Sequence, residues 1–231
     1  MSAKRTELQY RLFELRDLEY QAFTAKLIPT IAPEDIIGVR TPELRRFARD
    51  YAQTPPSKDF LSALPHRYYE ENMLHGFLIE QISDYSAAIK ALESFLPYID
   101  NWATCDLISP KNFIKHRPEL YQKIIIWLDS DHLYTIRFAV GMLLRHFLDK
   151  DFRPEGLELA ARIRSDEYYV NMMVAWYFAT ALAKQYDATL PFIIERRLSP
   201  WTHNKAIQKA VESRRIPSAT KAFLRSLKIG R

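Results

Sequence analysis

The sequence predicts an all-α fold, a superhelix of stacked helix pairs, and three observations carry that expectation. Only 5 glycines occur in 231 residues, too few for the tight turns of an all-β sandwich or barrel. The 13 prolines act as punctuation, because proline lacks a backbone donor and clashes inside a helix. They leave proline-free windows at 66–96, 119–153 and 155–190, each long enough for one or two helices. Third, a pattern recurs: YEENMLHGFLI (69–79), YTIRFAVGMLL (134–144) and YVNMMVAWYFA (169–179) each begin with Tyr and carry Gly76, Gly141 or Trp176 seven residues later.

The tyrosines are spaced by 65 and 35 residues, so a unit of the same length opens near 104, at IDNWATCDLIS (99–109), and a last one near His203. Inner helices are therefore expected near 69, 102, 134, 169 and 203. Each has room for one partner helix, around 43–53, 86–96, 118–129, 155–164 and 188–197. Ile136, Ala139, Val140, Leu143 and Leu144 illustrate the helical spacing of the apolar positions. A helix-turn-helix unit of about 35 residues is the mark of an α-solenoid, here HEAT-like, since the W…LG…Y…A…P pattern of tetratricopeptide arrays is missing. The expected product is one domain over residues 1–231, curved, with a concave basic face.

Two segments need separate justification. Lys123-Ile124-Ile125-Ile126-Trp127 is β-branched enough for a strand, but the repeat calls for an outer helix there. Thr41-Pro42-Glu43 reads as an N-cap, a proline at the first helical position and an acid in the first turn. Arg45, Arg46 and Arg49 on that helix form a smaller basic patch in this reading.

Composition narrows the function classes. Hydrophobic residues at 48% and aromatics at 13% exclude a disordered chain. Cys105 is the single cysteine, which excludes an internal disulfide, and it reads as a small buried residue. The histidines at 66, 75, 116, 132, 146 and 203 show no ligand spacing, so neither metal nor cofactor is expected. The first twenty residues are charged throughout and no long apolar run appears, which makes a cytoplasmic protein with no membrane partner the expectation.

Net charge is uneven. Residues 196–231 hold ten Lys and Arg, among them Lys205, Lys209, Arg214, Arg215 and Arg231, against one acid, Glu212. Their +9 exceeds the +5 of the whole chain, so the basic excess lies entirely in the last sixth. Such a segment suits a polyanion such as DNA or RNA, or a solvated cap on the last repeat.

Trp102 and Asp106 are four apart and share one helix face; that helix should begin after Asp100 or Asn101. Arg137 lies on the next inner helix and Trp176 on the one after, so side-by-side helices are expected to gather the four in one cleft. Indole faces hold flat or cationic groups, a carboxylate adds charge complementarity, and an arginine clamps phosphate. Taken singly, each residue also has an ordinary role: a core tryptophan, an acid near a helix N-terminus, an arginine paired with an acid.

The segments GVRTPELRRFA (38–48), DNWATCDLIS (100–109), YTIRFAV (134–140) and MMVAWYFATALAK (172–184) resemble the AlkD-type DNA alkylation repair family, HEAT-like repeat DNA glycosylases, along nearly the whole chain from about residue 8 to 228. The resemblance implies a catalytic cleft of Trp102, Asp106, Arg137 and Trp176. It implies hydrolysis of the N-glycosidic bond of cationic alkylpurines, such as 3-methyladenine and 7-methylguanine, in double-stranded DNA, without a tight base-flipping pocket; a monomer is expected. The chain departs from the family at Phe23 and Lys26, where a tyrosine often reaches DNA, and at Phe138, where a second basic residue is common. A non-catalytic relative that binds distorted or branched DNA, and a protein-interaction scaffold, are the competing readings.

Overall fold

The computed structural model describes residues 5–230, so Arg231 lies outside the described residues. Among them the chain is helical, with one isolated antiparallel bridge between Arg16 and Val39, and it divides into two compact units, Met1–Lys115 and His116–Arg231. Helices pack on helices in both, as expected for an α-α superhelix.

The first unit contains α1 (Glu7–Glu14), α2 (Leu18–Leu27), α3 (Thr41–Tyr51), α4 (Pro56–Ser62), α5 (Tyr69–Ile79), α6 (Tyr85–Phe95) and α7 (Trp102–Leu107). α1 opens with a capping box between Thr6 and Gln9, and α2 with Asp17, whose carboxylate accepts the Tyr20 N–H at 2.9 Å. Gly38 has φ +97°, and a Cβ there would meet the Asp17 carbonyl oxygen at 2.5 Å, so only glycine fits. α3 begins one residue earlier than the Thr41 cap predicted. Arg40 takes the N-cap place in an extended conformation because its side chain is held by Asp17 at 2.8 Å and stacks over Tyr20.

α5 is the central helix of this unit, packed against α3, α4, α6 and α7, and all eleven of its residues are buried. Glu70 is among them at 0% exposure, and its carboxylate accepts the backbone N–H groups of Ile37, Gly38 and Val39 at 2.7, 2.7 and 3.1 Å. Burial pushes its pKa up while those three donors pull it down, and burial prevails. The loop before α3 is thereby pinned to the core formed by Leu12, Leu44, Leu74 and Phe77.

The second unit contains α8 (Arg117–Leu128), α9 (Leu133–His146), α10 (Glu155–Arg162), α11 (Tyr168–Lys184), α12 (Tyr186–Ile194), α13 (Pro200–Glu212) and α14 (Ser218–Ser226). α11 packs against both α9 and α13; α8 backs α9, α10 and α12 back α11, and α14 covers α13. The β-branched stretch 123–127 is helical, with Ile124 and Trp127 inward and Ile125 and Ile126 outward, the alternation a helix imposes. Tyr134 and His203, which mark the repeat, are buried at 3% and 0% exposure, and the rings of Tyr134 and Tyr169 lie 6.1 Å apart. The Tyr repeat is thus a packing repeat: it records where one inner helix rests on the next.

Candidate functional site

α7 is a six-residue helix whose start is fixed locally. Asn101 is extended, with φ −151°, and its Oδ1 accepts the Thr104 N–H at 2.8 Å while its Nδ2 donates to Asp100 and to the Thr104 hydroxyl. Asn101 and Thr104 are both fully buried, so the cap is part of the core, and the helix begins where the sequence predicted. Ala103, Thr104 and Cys105 turn inward, Cys105 as the small buried residue expected. Trp102 and Asp106 are left at the margin of the unit, both partly exposed.

Trp102 is anchored. Its Nε1–H donates to the Leu27 carbonyl at 3.1 Å, at the end of α2, and one flank of the indole packs on the unit's core. The far end of α7 is held as firmly: Ser109 N–H donates to Glu80 Oε1 at 2.8 Å, and Arg45 bridges Glu80 at 2.6 Å and the Leu107 carbonyl at 3.2 Å while stacking on Phe77. Arg45 therefore braces α7 instead of joining a basic patch with Arg46 and Arg49. Arg46 pairs with Glu43 at 3.2 Å, and Arg49 alone of the three is exposed without an ion pair among the described residues.

In the second unit Arg137 is 5% exposed, and one guanidinium nitrogen donates to the Tyr169 carbonyl at 2.6 Å, tying α9 to the start of α11. Trp176 is different: at 51% exposure it is not a core tryptophan. It borders a groove of about 300 Å³ lined also by Ala179, Thr180 and Ala183 of α11 and by Lys209, Glu212, Ser213 and Arg215. The small residues along α11 leave the indole standing above its own helix, with two cations opposite. Lys209 pairs with Glu212 at 2.9 Å, and that contact together with Gln208 holds the Glu212 carboxyl below its ordinary pKa. Arg214 and Arg215 are exposed.

The sequence predicted four residues in one cleft. Trp102 and Asp106 stand together in the first unit, and Trp176 stands with Lys209 and Arg215 in the second. Arg137 is buried apart from that groove's lining, and Lys205 lies beside Trp201, its Nζ 5.4 Å from the indole centroid. Sequence reasoning missed this neighbour: Trp201 and Tyr168 are 42% and 56% exposed, with rings 5.7 Å apart and steeply inclined. The available signal was their offset of 33 residues, the same as between Trp176 and Lys209, which places both pairs on matching positions of α11 and α13.

The described residues form an all-α protein in which exposed indole rings stand beside lysine and arginine on adjacent helices. The sequence profile of the family described as DNA alkylation repair enzyme matches residues 8–210, and the chain belongs to that family. Its role is therefore in DNA alkylation repair, with DNA as partner. No curated protein matches the chain. Among the described residues, no helix is long and apolar enough to cross a membrane.

Proposed function

We propose that the protein is a DNA glycosylase that hydrolyses the N-glycosidic bond of cationic alkylated purines in duplex DNA, working as a cytoplasmic monomer with residues 1–231 as one HEAT-like functional domain. The observation that carries the reading is the half-exposed Trp176 in a groove lined by Lys209 and Arg215, since an open indole face beside cations suits a sugar and phosphate strand.

Alkylation at N3 or N7 places positive charge on the purine and makes it a good leaving group, so no general acid has to protonate it. As the bond to C1′ breaks, the electron pair leaves with the base and positive charge grows on the sugar. Asp106 stabilises that oxocarbenium-like charge and orients the water that attacks C1′, taking up its proton. Trp102, locked through Leu27, offers a rigid edge against the deoxyribose, and Trp176 packs against the strand. No tight base pocket is needed, in contrast to enzymes that read a flipped base. Arg137, Lys205, Lys209, Arg214 and Arg215 supply phosphate contacts, which makes affinity fall steeply with salt.

The test is release of 7-methylguanine from alkylated duplex DNA. Asp106→Asn should lower the rate by about 10²–10³-fold, the scale of losing one charge-stabilising group in an active site, with duplex affinity unchanged. Full excision by Asp106→Asn overturns the mechanism. Tight, salt-sensitive binding without base release by the native protein would instead support a non-catalytic DNA-binding relative.

A further inference from the structure

The first unit holds a second cationic feature, remote in sequence from the basic C-terminal segment and from α7. A pocket of about 520 Å³ is walled by three arginines, Arg5, Arg16 and Arg67, with Phe13, Tyr68 and a single carboxylate, Glu34, in its lining. The two rings meet edge to face, their centroids 5.4 Å apart, and each arginine rides on one of them. The Arg5 guanidinium carbon lies 3.6 Å from the Phe13 centroid, that of Arg16 5.8 Å from the same ring, and that of Arg67 4.9 Å from Tyr68.

This arrangement gathers like charges and leaves them under-compensated. Arg67 meets Asp35 at 3.4 Å through an exposed pair, which contributes little. Arg16 donates to the neutral side-chain amide oxygen of Gln21, Oε1, at 2.7 Å, and among the described residues neither Arg5 nor Arg16 has an ion-pair partner. A guanidinium held by its face on an aromatic ring is pre-organised, with its N–H edge directed sideways, and that edge matches the oxygens of a phosphate bidentately. Ring stacking by a nucleobase is not available, because the arginines occupy the ring faces.

We propose that this pocket binds a phosphate ester through Arg5, Arg16 and Arg67. The recognised group is the phosphate with its sugar, whose two sources are a free mononucleotide and the backbone of a DNA strand; the volume suits one nucleotide unit.

The experiment follows the arginine Nε–Hε resonances of the full chain by NMR at constant ionic strength. Inorganic phosphate, deoxyadenosine monophosphate and an undamaged duplex are titrated in turn, with chloride as control. The expected result is saturable movement of the Arg5, Arg16 and Arg67 signals with phosphate esters and none with chloride. Arg5→Gln/Arg16→Gln/Arg67→Gln should weaken binding by about tenfold or more, as loss of charge-assisted hydrogen bonds implies. Arg67→Gln alone, at an exposed position, gives a smaller loss and guards against misfolding of the triple variant. Movement with the mononucleotide assigns the pocket to a free ligand; movement with the duplex alone assigns it to the strand. Signals that do not move, move equally with chloride, or move in the folded triple variant's remaining arginines with native affinity overturn the proposal.

Discussion

Replacing Gly76 by alanine should disturb the candidate catalytic helix without touching it. A Cβ at Gly76 would lie 2.5 Å from Ile108 Cγ1 and 2.8 Å from Cδ1, and Ile108 follows α7 directly. Ile108 is 1% exposed and β-branched, so it cannot swing aside easily. Overpacking of this kind costs about 3 kcal/mol at the upper end of its usual range. Alanine returns about 1 kcal/mol through helix propensity, leaving a net loss of about 2 kcal/mol. In a chain of this size that lowers Tm by about 4–8 °C, read by circular dichroism. Because Asp106 is two residues from Ile108, the rate of 7-methylguanine release should fall by about tenfold, while affinity for undamaged duplex stays constant; displacement near 1 Å in an active site costs up to about 10²-fold. Ile108→Ala removes both clashing atoms, so the double variant should be more stable than the sum of the single changes predicts. Strict additivity, or an unchanged Tm in Gly76→Ala, would refute the steric argument.

The remaining expectations use the same reasoning elsewhere. Gly141 occupies the same place in the repeat, yet a Cβ there meets only Met173 Cε at 3.7 Å, an ordinary contact; Gly141→Ala should therefore be neutral or stabilise by up to about 1 kcal/mol, measured by thermal melting. The half-buried His66 and the buried His75 share a 2.8 Å hydrogen bond, and desolvation lowers their pKa values to about 4 and about 3. Between those values and about 6.5 the unfolded chain binds protons that the fold excludes, so stability should be complete above pH 6.5 and decline as pH falls towards 3. His146, lowered to about 4, adds to the same limb. A His66→Phe/His75→Phe variant that melts cooperatively should show a shallower acid limb; an unchanged limb would count against the pair.

The helices were legible because their signals are local and strong. Pro42, Pro118 and Pro200 in first helical turns, the Asn101 cap and the alternation of Ile124 and Trp127 with Ile125 and Ile126 each follow from short-range sterics and one-sided burial, whereas Pro191 lies inside α12 and does not punctuate it. Boundaries set by tertiary contacts were less so: α3 starts early because Arg40 is held by Asp17, 23 residues away in sequence. Nothing in YEENM says that the loop 37–39 will fold back and offer Glu70 three N–H donors. A buried carboxylate is recognisable only when its distant donors are known.

The candidate site residues divide along the same line. Spacing placed Trp102 and Asp106 on one face of a capped helix, because a period of 3.6 residues needs no partner. The basic charges could be counted but not sorted, since a guanidinium behaves according to what it meets. Arg45 looked like part of a patch and is a brace between Glu80 and the Leu107 carbonyl. Arg137 looked like a phosphate clamp and is also a strut on the Tyr169 carbonyl. Arg5 and Arg16 drew no attention, yet they stack on Phe13 with no ion pair among the described residues. The repeat itself shows the same dependence on neighbours. Position 76 is glycine because Ile108 presses on it, position 141 is relaxed, and position 176 carries a tryptophan because small residues on α11 leave open space above it. One sequence position, read through three different neighbours, serves as a packing constraint, a tolerant site and an exposed platform for the DNA strand in the proposed reaction.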